Sequence, residues 1–230
     1  MIHQLIFAYP KPNMSENAFQ RYWLDVHAPK YAARIPQIRK YMIDTRIPRP
    51  SDSGDHLWSG VAEIWLANER EQLESLQTPE FLEGARLDEP KWAAFWRTVV
   101  LDTDAQVLLE PASYSGSATG VKLIRLVKRR QGTDLAEFRD RSIKHAERLL
   151  SLPGLQGLVV GHTRDGFYGV GEAVLDGAFQ LWFEDLDALD AALGSEPNAL
   201  ATEELLTFVE PRYVHELPVK EHWILGPEAR

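Results

Sequence analysis

The chain contains the same passage twice. His27 opens HAPKYAARIPQIRKYM and His145 opens HAERLLSLPGLQGLVV, and each runs from His-Ala through a helical tail to an aliphatic residue and Pro, then into a strand. A period of about 115 residues points to duplicated domains rather than a short-repeat solenoid. The 230 residues are therefore read as two small copies of one unit, and 44% hydrophobic residues suffice to give each a core.

In the first copy, residues 2–9 form an apolar run that stops at Pro10-Lys11-Pro12-Asn13, which predicts a strand entering a turn. Ser15 is the expected N-cap of a helix in which Phe19, Tyr22, Trp23, Val26, His27, Lys30 and Tyr31 recur at three- and four-residue spacing. One broad stripe of that helix faces inward, and the helix ends before Ile35-Pro36. Strands are predicted over residues 38–47 and 58–66 as a hairpin, with Pro48, Pro50 and residues 51–54 marking its turn. Helices over 68–77 and 79–96 and a strand over 98–109 complete the copy.

Residues 110–117 mix Pro, Gly and Ser without apolar periodicity and read as a linker. After it the order begins again. A strand over 121–127 leads to a helix capped at Thr133 or Asp134 and carrying Leu135, Phe138, Ser142, His145 and Leu149, which stops at Pro153. A second hairpin (158–162 and 179–183), helices over 185–193 and 197–208, and a final strand region over 213–225 follow. The predicted organisation is residues 1–112 as the first domain, 113–119 as linker and 120–230 as the second domain. The fold class is α+β, two ferredoxin-like β-α-β-β-α-β repeats. Such a unit covers one sheet face with helices and leaves the other to be buried, with the second copy as its partner.

Composition removes several functions. A net charge of -9, with Lys128-Arg129-Arg130 as the only strong basic cluster, argues against nucleic acid as a partner. The absence of cysteine excludes disulfides, thiolate metal sites and a cysteine nucleophile, and fits a reducing compartment, so a cytoplasmic location is expected. The amino terminus has no basic leader or cleavage site, and no apolar stretch is long enough for a membrane span. P-loop, GxGxxG and GxSxG patterns are missing; the glycines of residues 166–171 are expected to serve a hairpin turn.

Residues 19–42, FQRYWLDVHAPKYAARIPQIRKYM, resemble the helix and following strand of the EthD domain family, small ferredoxin-like domains of the dimeric α+β barrel group. The resemblance rests on Tyr22-Trp23, His27-Ala28-Pro29, and Ile35-Pro36 followed by Arg39 and Tyr41. The second copy keeps His145-Ala146 but has Glu147 where Pro29 stands, and no aromatic pair precedes it. The resemblance implies an intramolecular dimeric α+β barrel. It also implies a group that includes cofactor-free monooxygenases, isomerases, cyclases, dehydratases and haem-binding enzymes, and fold does not choose among these.

The residues themselves supply candidates. His27 lies four residues from both Trp23 and Tyr31, on the aromatic face of its helix, where partial desolvation would suit a general acid or base. A core histidine bonded to a backbone carbonyl satisfies the same pattern, and the recurrence at His145 fits common packing as well as common chemistry. Tyr41, on the next strand, is expected beside the same cavity. Tyr22, Trp23, Trp58, Trp65 and Trp182 are candidate substrate-binding residues, although aromatics at helix and strand spacing are also ordinary core. Asp44 is a candidate to orient a histidine, whereas Asp25, two residues from His27, should face away. His215, Glu216, Glu221 and His222 lack the spacing of a metal site, so none is expected.

The expected function is therefore a cofactor-independent enzyme acting on a small hydrophobic aromatic or carbonyl-containing metabolite. His27, His145 and Tyr41 would carry lyase, isomerase, cyclase or dehydratase chemistry. The alternatives are an oxidoreductase of monooxygenase or haem-binding type, and a non-catalytic small-molecule-binding accessory protein. The helical outer surfaces leave room for a homodimer of such pseudo-dimers.

Overall fold

A computed structural model describes residues 1–50, 52, 56–116, 120–169, 171–228 and 230. Residues 51, 53 and 54 of the expected turn, 117–119 of the expected linker, and Val170 in the glycine-rich run lie outside the described residues. The chain forms two compact units, Met1–Asp102 with Lys220–Arg230, and Thr103–Val219.

In the first unit β1 (Ile2–Ala8) leads to α1 (Glu16–Tyr22), whose N-cap Ser15 accepts the Ala18 backbone N–H. The helix continues through a wide π turn, Trp23–His27, into α2 (Ala28–Lys30). Pro29 explains the wide turn: it offers no N–H to the carbonyl four residues back and its ring crowds that carbonyl. The chain instead closes an i→i+5 bond from Ala28 N–H to the Trp23 carbonyl. The wider turn offsets the drift of an i, i+4 row, so Phe19, Trp23 and His27 are all buried on one face.

Strands β2 (Ile38–Arg46) and β3 (Gly60–Leu66) follow, and β3 pairs antiparallel with both β1 and β2. Gln4, Ile6 and Ala8 of β1 and Ala62, Ile64 and Leu66 of β3 lie on the helix side, as period-two alternation requires. On β2 the register slips between Ile38 and Lys40. This bulge turns Ile38 and Tyr41, three residues apart, to the same face, which a regular strand would not do. α3 (Glu69–Ser75) is capped by Asn68. The predicted helix over 79–96 is instead broken: a π segment Glu80–Ala85, α4 (Arg86–Asp88) and a 3-10 turn Glu89–Lys91 run into Trp92. Pro90 is the physical reason, since an interior proline cannot continue the ladder. β4 (Val99–Leu109) begins beside β1, completing the order β4-β1-β3-β2.

The second unit repeats this order with β5 (Val121–Val127), β6 (Gly157–Thr163), β7 (Gly177–Phe183) and β8 (His215–Leu225) arranged β8-β5-β7-β6. Its first helix, α5 (Leu135–Leu149), is regular α-helix throughout, capped by Asp134, with Glu147 where the first copy has Pro29. α6 (Leu186–Leu193) and α7 (Glu196–Leu205) complete it. The compact units differ from the sequence repeats because β4 and β8 are each 11 residues long. Thr103–Leu109 belongs to the second unit, pairing with β6, and Lys220–Arg230 belongs to the first. The fold is thus α+β, two β-α-β-β-α-β repeats. Among the described residues no helix is long and apolar enough to cross a membrane.

Candidate active site

Between the helices and the β1-β3-β2 sheet of the first unit lies a cavity of about 120 Å³. That is many times the space one water needs. Ile6, Ile38, Ile64, Leu66, Phe81 and Trp92 make most of the wall; the ionisable side chains of the lining are His27, Tyr41 and Glu89, and the lining has no Lys or Arg. Leu76 and Phe95 line it while 42% and 45% exposed, so the mouth is apolar.

His27 is brought here by the π turn and is 6% exposed. Its Nδ1 lies 3.0 Å from Oδ2 of the fully buried Asp88. Burial pushes the Asp88 carboxyl up, but the hydrogen bonds from His27, Lys91 and Tyr22 outweigh it and hold the group below its ordinary value. Tyr22 O–H and Lys91 Nζ donate to Oδ1 at 2.9 and 3.0 Å. An ionised carboxylate only accepts, so the proton sits on His27 Nδ1 and the Nε2 lone pair is free. Burial lowers the His27 pKa, and the Asp88 contacts only partly oppose this, so the ring is neutral near pH 7. Trp92 holds it in place at a 4.7 Å centroid separation.

Tyr41 is 1% exposed and lines the same cavity. Burial raises its pKa strongly, so it stays a phenol. Trp23 lines the cavity beside it. Gly60 permits this placement of Trp23: a Cβ there would lie 3.0 Å from the Trp23 ring and 2.7 Å from the Asp44 carbonyl.

Other candidates lie elsewhere. Tyr22 reaches Asp88 and is not part of the cavity wall. Trp58 packs on Phe7 at 5.1 Å, and Trp65 stacks on His3 at 4.4 Å; neither lines the cavity. Trp65 alternates with Ile64 and therefore faces the other side of β3. Trp182 belongs to the second unit, 5.8 Å from Tyr114. His145 is fully buried, 5.2 Å from Phe179 and 6.1 Å from Phe208, with Nδ1 3.3 Å from Glu204. Its Nε2 has no partner among the described residues, and burial drives its pKa down to about 4. The carboxylate that orients His27 is not Asp44, which alternates with Ile43 and points to the opposite sheet face; Asp25 is exposed. No cluster of three metal-ligating side chains occurs among the described residues.

Asp88, Glu89 and Trp92 are site residues that periodicity did not reveal. The one local signal is Asp88-Glu89-Pro90-Lys91, adjacent carboxyls immediately before a helix-ending proline.

Residues 11–95 match the EthD domain family profile, a stretch holding His27, Tyr41, Asp88 and Glu89. No curated protein matches the chain in sequence. Among solved structures it is similar to a candidate monooxygenase from Lactobacillus acidophilus NCFM, at 14% identity and TM-score 0.57 over 100% of this chain and 97% of that one. A candidate monooxygenase from Fusobacterium nucleatum is similar at 9% identity and TM-score 0.60, over 98% of this chain and 95% of the other. An anthrone oxidase-like protein is similar at 10% identity and TM-score 0.61, over 97% and 92%. At these identities the likeness is one of fold. Residues 11–95 of the first unit are thus similar to the EthD domain family, in a chain whose fold is shared along its length with these proteins.

Proposed function

We propose that the first unit is an acid-base catalyst for a small, uncharged, largely apolar metabolite bearing a carbonyl or phenolic oxygen, in lyase, isomerase, cyclase or dehydratase chemistry. The observation that carries this reading is the His27-Asp88 pair at the wall of an apolar cavity. Asp88 fixes the tautomer, so Nε2 acts as the base, and Tyr41 polarises the substrate oxygen. A cavity without a cationic side chain favours a neutral ligand, because an anion would lose its hydration without gaining a partner. His145, in a packed setting, is assigned to the core rather than to the reaction.

The test is uptake of deuterium from solvent at the α-carbons of small neutral ketones, 1-indanone, 2-indanone and 2-tetralone, followed by NMR. Wild-type protein should accelerate exchange and His27→Gln should not. Binding that quenches tryptophan fluorescence without any exchange would replace this reading with that of a binding protein.

A second reading, an oxidoreductase working without a bound cofactor, is favoured by the full-length likeness to candidate monooxygenases and an anthrone oxidase-like protein. Base-catalysed formation of an electron-rich anion could precede reaction with dioxygen, and oxygen uptake coupled to loss of anthrone would select it. Haem does not fit the His27 cavity: the space is too small for a porphyrin, and no basic side chain lines it to meet the propionates.

A further inference from the structure

We propose that Glu89 is the second catalytic group of this cavity, the acid that works with His27 as base, and that the substrate is a ketone or similar carbonyl compound carried through its enol. The inference rests on the acid-base reading of His27. Asp88 and Glu89 are neighbours in sequence but have opposite surroundings. Three donors converge on Asp88. Glu89 lines the cavity, and among the described residues its carboxyl has no side-chain hydrogen bond or ion pair, its backbone carbonyl alone accepting from Trp92 and Ala93. A half-buried carboxyl without a side-chain partner is disfavoured as an anion and tolerable as a neutral acid. Burial accordingly pushes Glu89 up to about 7, with the Asp88 charge adding to the shift and Arg86 opposing it. Two carboxyls driven apart in this way divide the labour: Asp88 remains ionised and orients the base, and Glu89 keeps a proton to give. Glu89 and the Tyr41 phenol both line the same cavity as His27.

The step balances within these groups. The Nε2 lone pair of His27 takes an α-hydrogen as a proton, and the C–H electron pair becomes the C=C bond of the enol. The carbonyl π pair moves to oxygen, which takes the Glu89 proton. Imidazolium and carboxylate remain, and reversal restores both. In deuterium oxide the His27 N–H exchanges with solvent, so the returning ketone carries the label.

The test is the pH profile of α-deuterium exchange in 2-indanone for wild type, Glu89→Gln, Glu89→Asp and His27→Gln. Tryptophan fluorescence reports whether the same ketone still binds. Wild type should give a bell, rising as His27 loses its proton and falling as Glu89 does. Glu89→Gln should lower the rate near pH 6 by about tenfold or more and remove the falling limb, while ketone binding is kept. Glu89→Asp should restore part of that limb, which a merely structural role would not do. A Glu89→Gln protein with wild-type rate and profile, alongside an inactive His27→Gln, would overturn the role of Glu89 and leave His27 as base. Exchange that survives His27→Gln would overturn the underlying reading instead.

Discussion

His27 Nδ1 and Asp88 Oδ2 lie 3.0 Å apart across 61 residues of sequence, and this contact decides which nitrogen of His27 faces the cavity. Asp88→Asn keeps the shape but provides an amide that can donate as well as accept, so the tautomer is no longer held. Exchange should fall about a hundredfold or more at every pH, with ketone binding little changed. Retention of activity would mean that the backbone alone orients the ring.

Tyr41→Phe removes one oxygen from a buried position on the cavity wall. Tyr41 polarises the developing oxyanion, so the rate should drop about tenfold to a thousandfold, more in kcat than in KM. The fold should be little changed, because phenylalanine keeps the ring that packs the wall. Urea denaturation checks that the fold is kept.

Gly60→Ala tests the approach of Trp23 to β3. A Cβ placed 2.7 Å from the Asp44 carbonyl meets backbone that cannot swing away. Destabilisation of about 1–3 kcal/mol is expected, with an altered tryptophan emission spectrum as the ring shifts.

Acid should weaken the fold through its buried histidines. Burial lowers His27 and takes His145 and His162 to about 4, against an ordinary value of 6.5. Between those values each of these histidines binds more proton in the unfolded chain than in the folded one, so their contribution to stability is full above about pH 6.5 and is lost as pH falls toward 4, with the raised Glu89 opposing it in part. Each histidine contributes a slope of at most about 1.4 kcal/mol per pH unit. His145→Gln, which cannot titrate, should flatten the slope by one such share in urea denaturation between pH 7 and 5.

The repeat, the strand and helix order, and the inward face of the first helix were legible in the sequence, because apolar spacing and proline or glycine punctuation are local signals. His27 and Tyr41 were legible as candidates for the same reason. Asp88 and Glu89 were not, since an uninterrupted helix over 79–96 has no feature that sends one carboxyl to His27 and the next into a cavity. Residue type alone points Trp58 and Trp65 to binding, whereas strand alternation takes Trp65 away from the helix side.

By itself, then, the sequence determined the α+β class, the duplication and a histidine on a buried helix face. Those properties follow from backbone geometry that a few neighbouring residues dictate. Only the tertiary structure decided that the first copy holds the cavity. A π turn before Pro29 and a bulge after Ile38 each offset a side chain by one position, and the 3-10 turn at Pro90 interrupts the helix; His27, Tyr41 and Glu89 line one cavity, with Asp88 against His27. Where such shifts are accommodated depends on what packs against them, which no window of sequence contains.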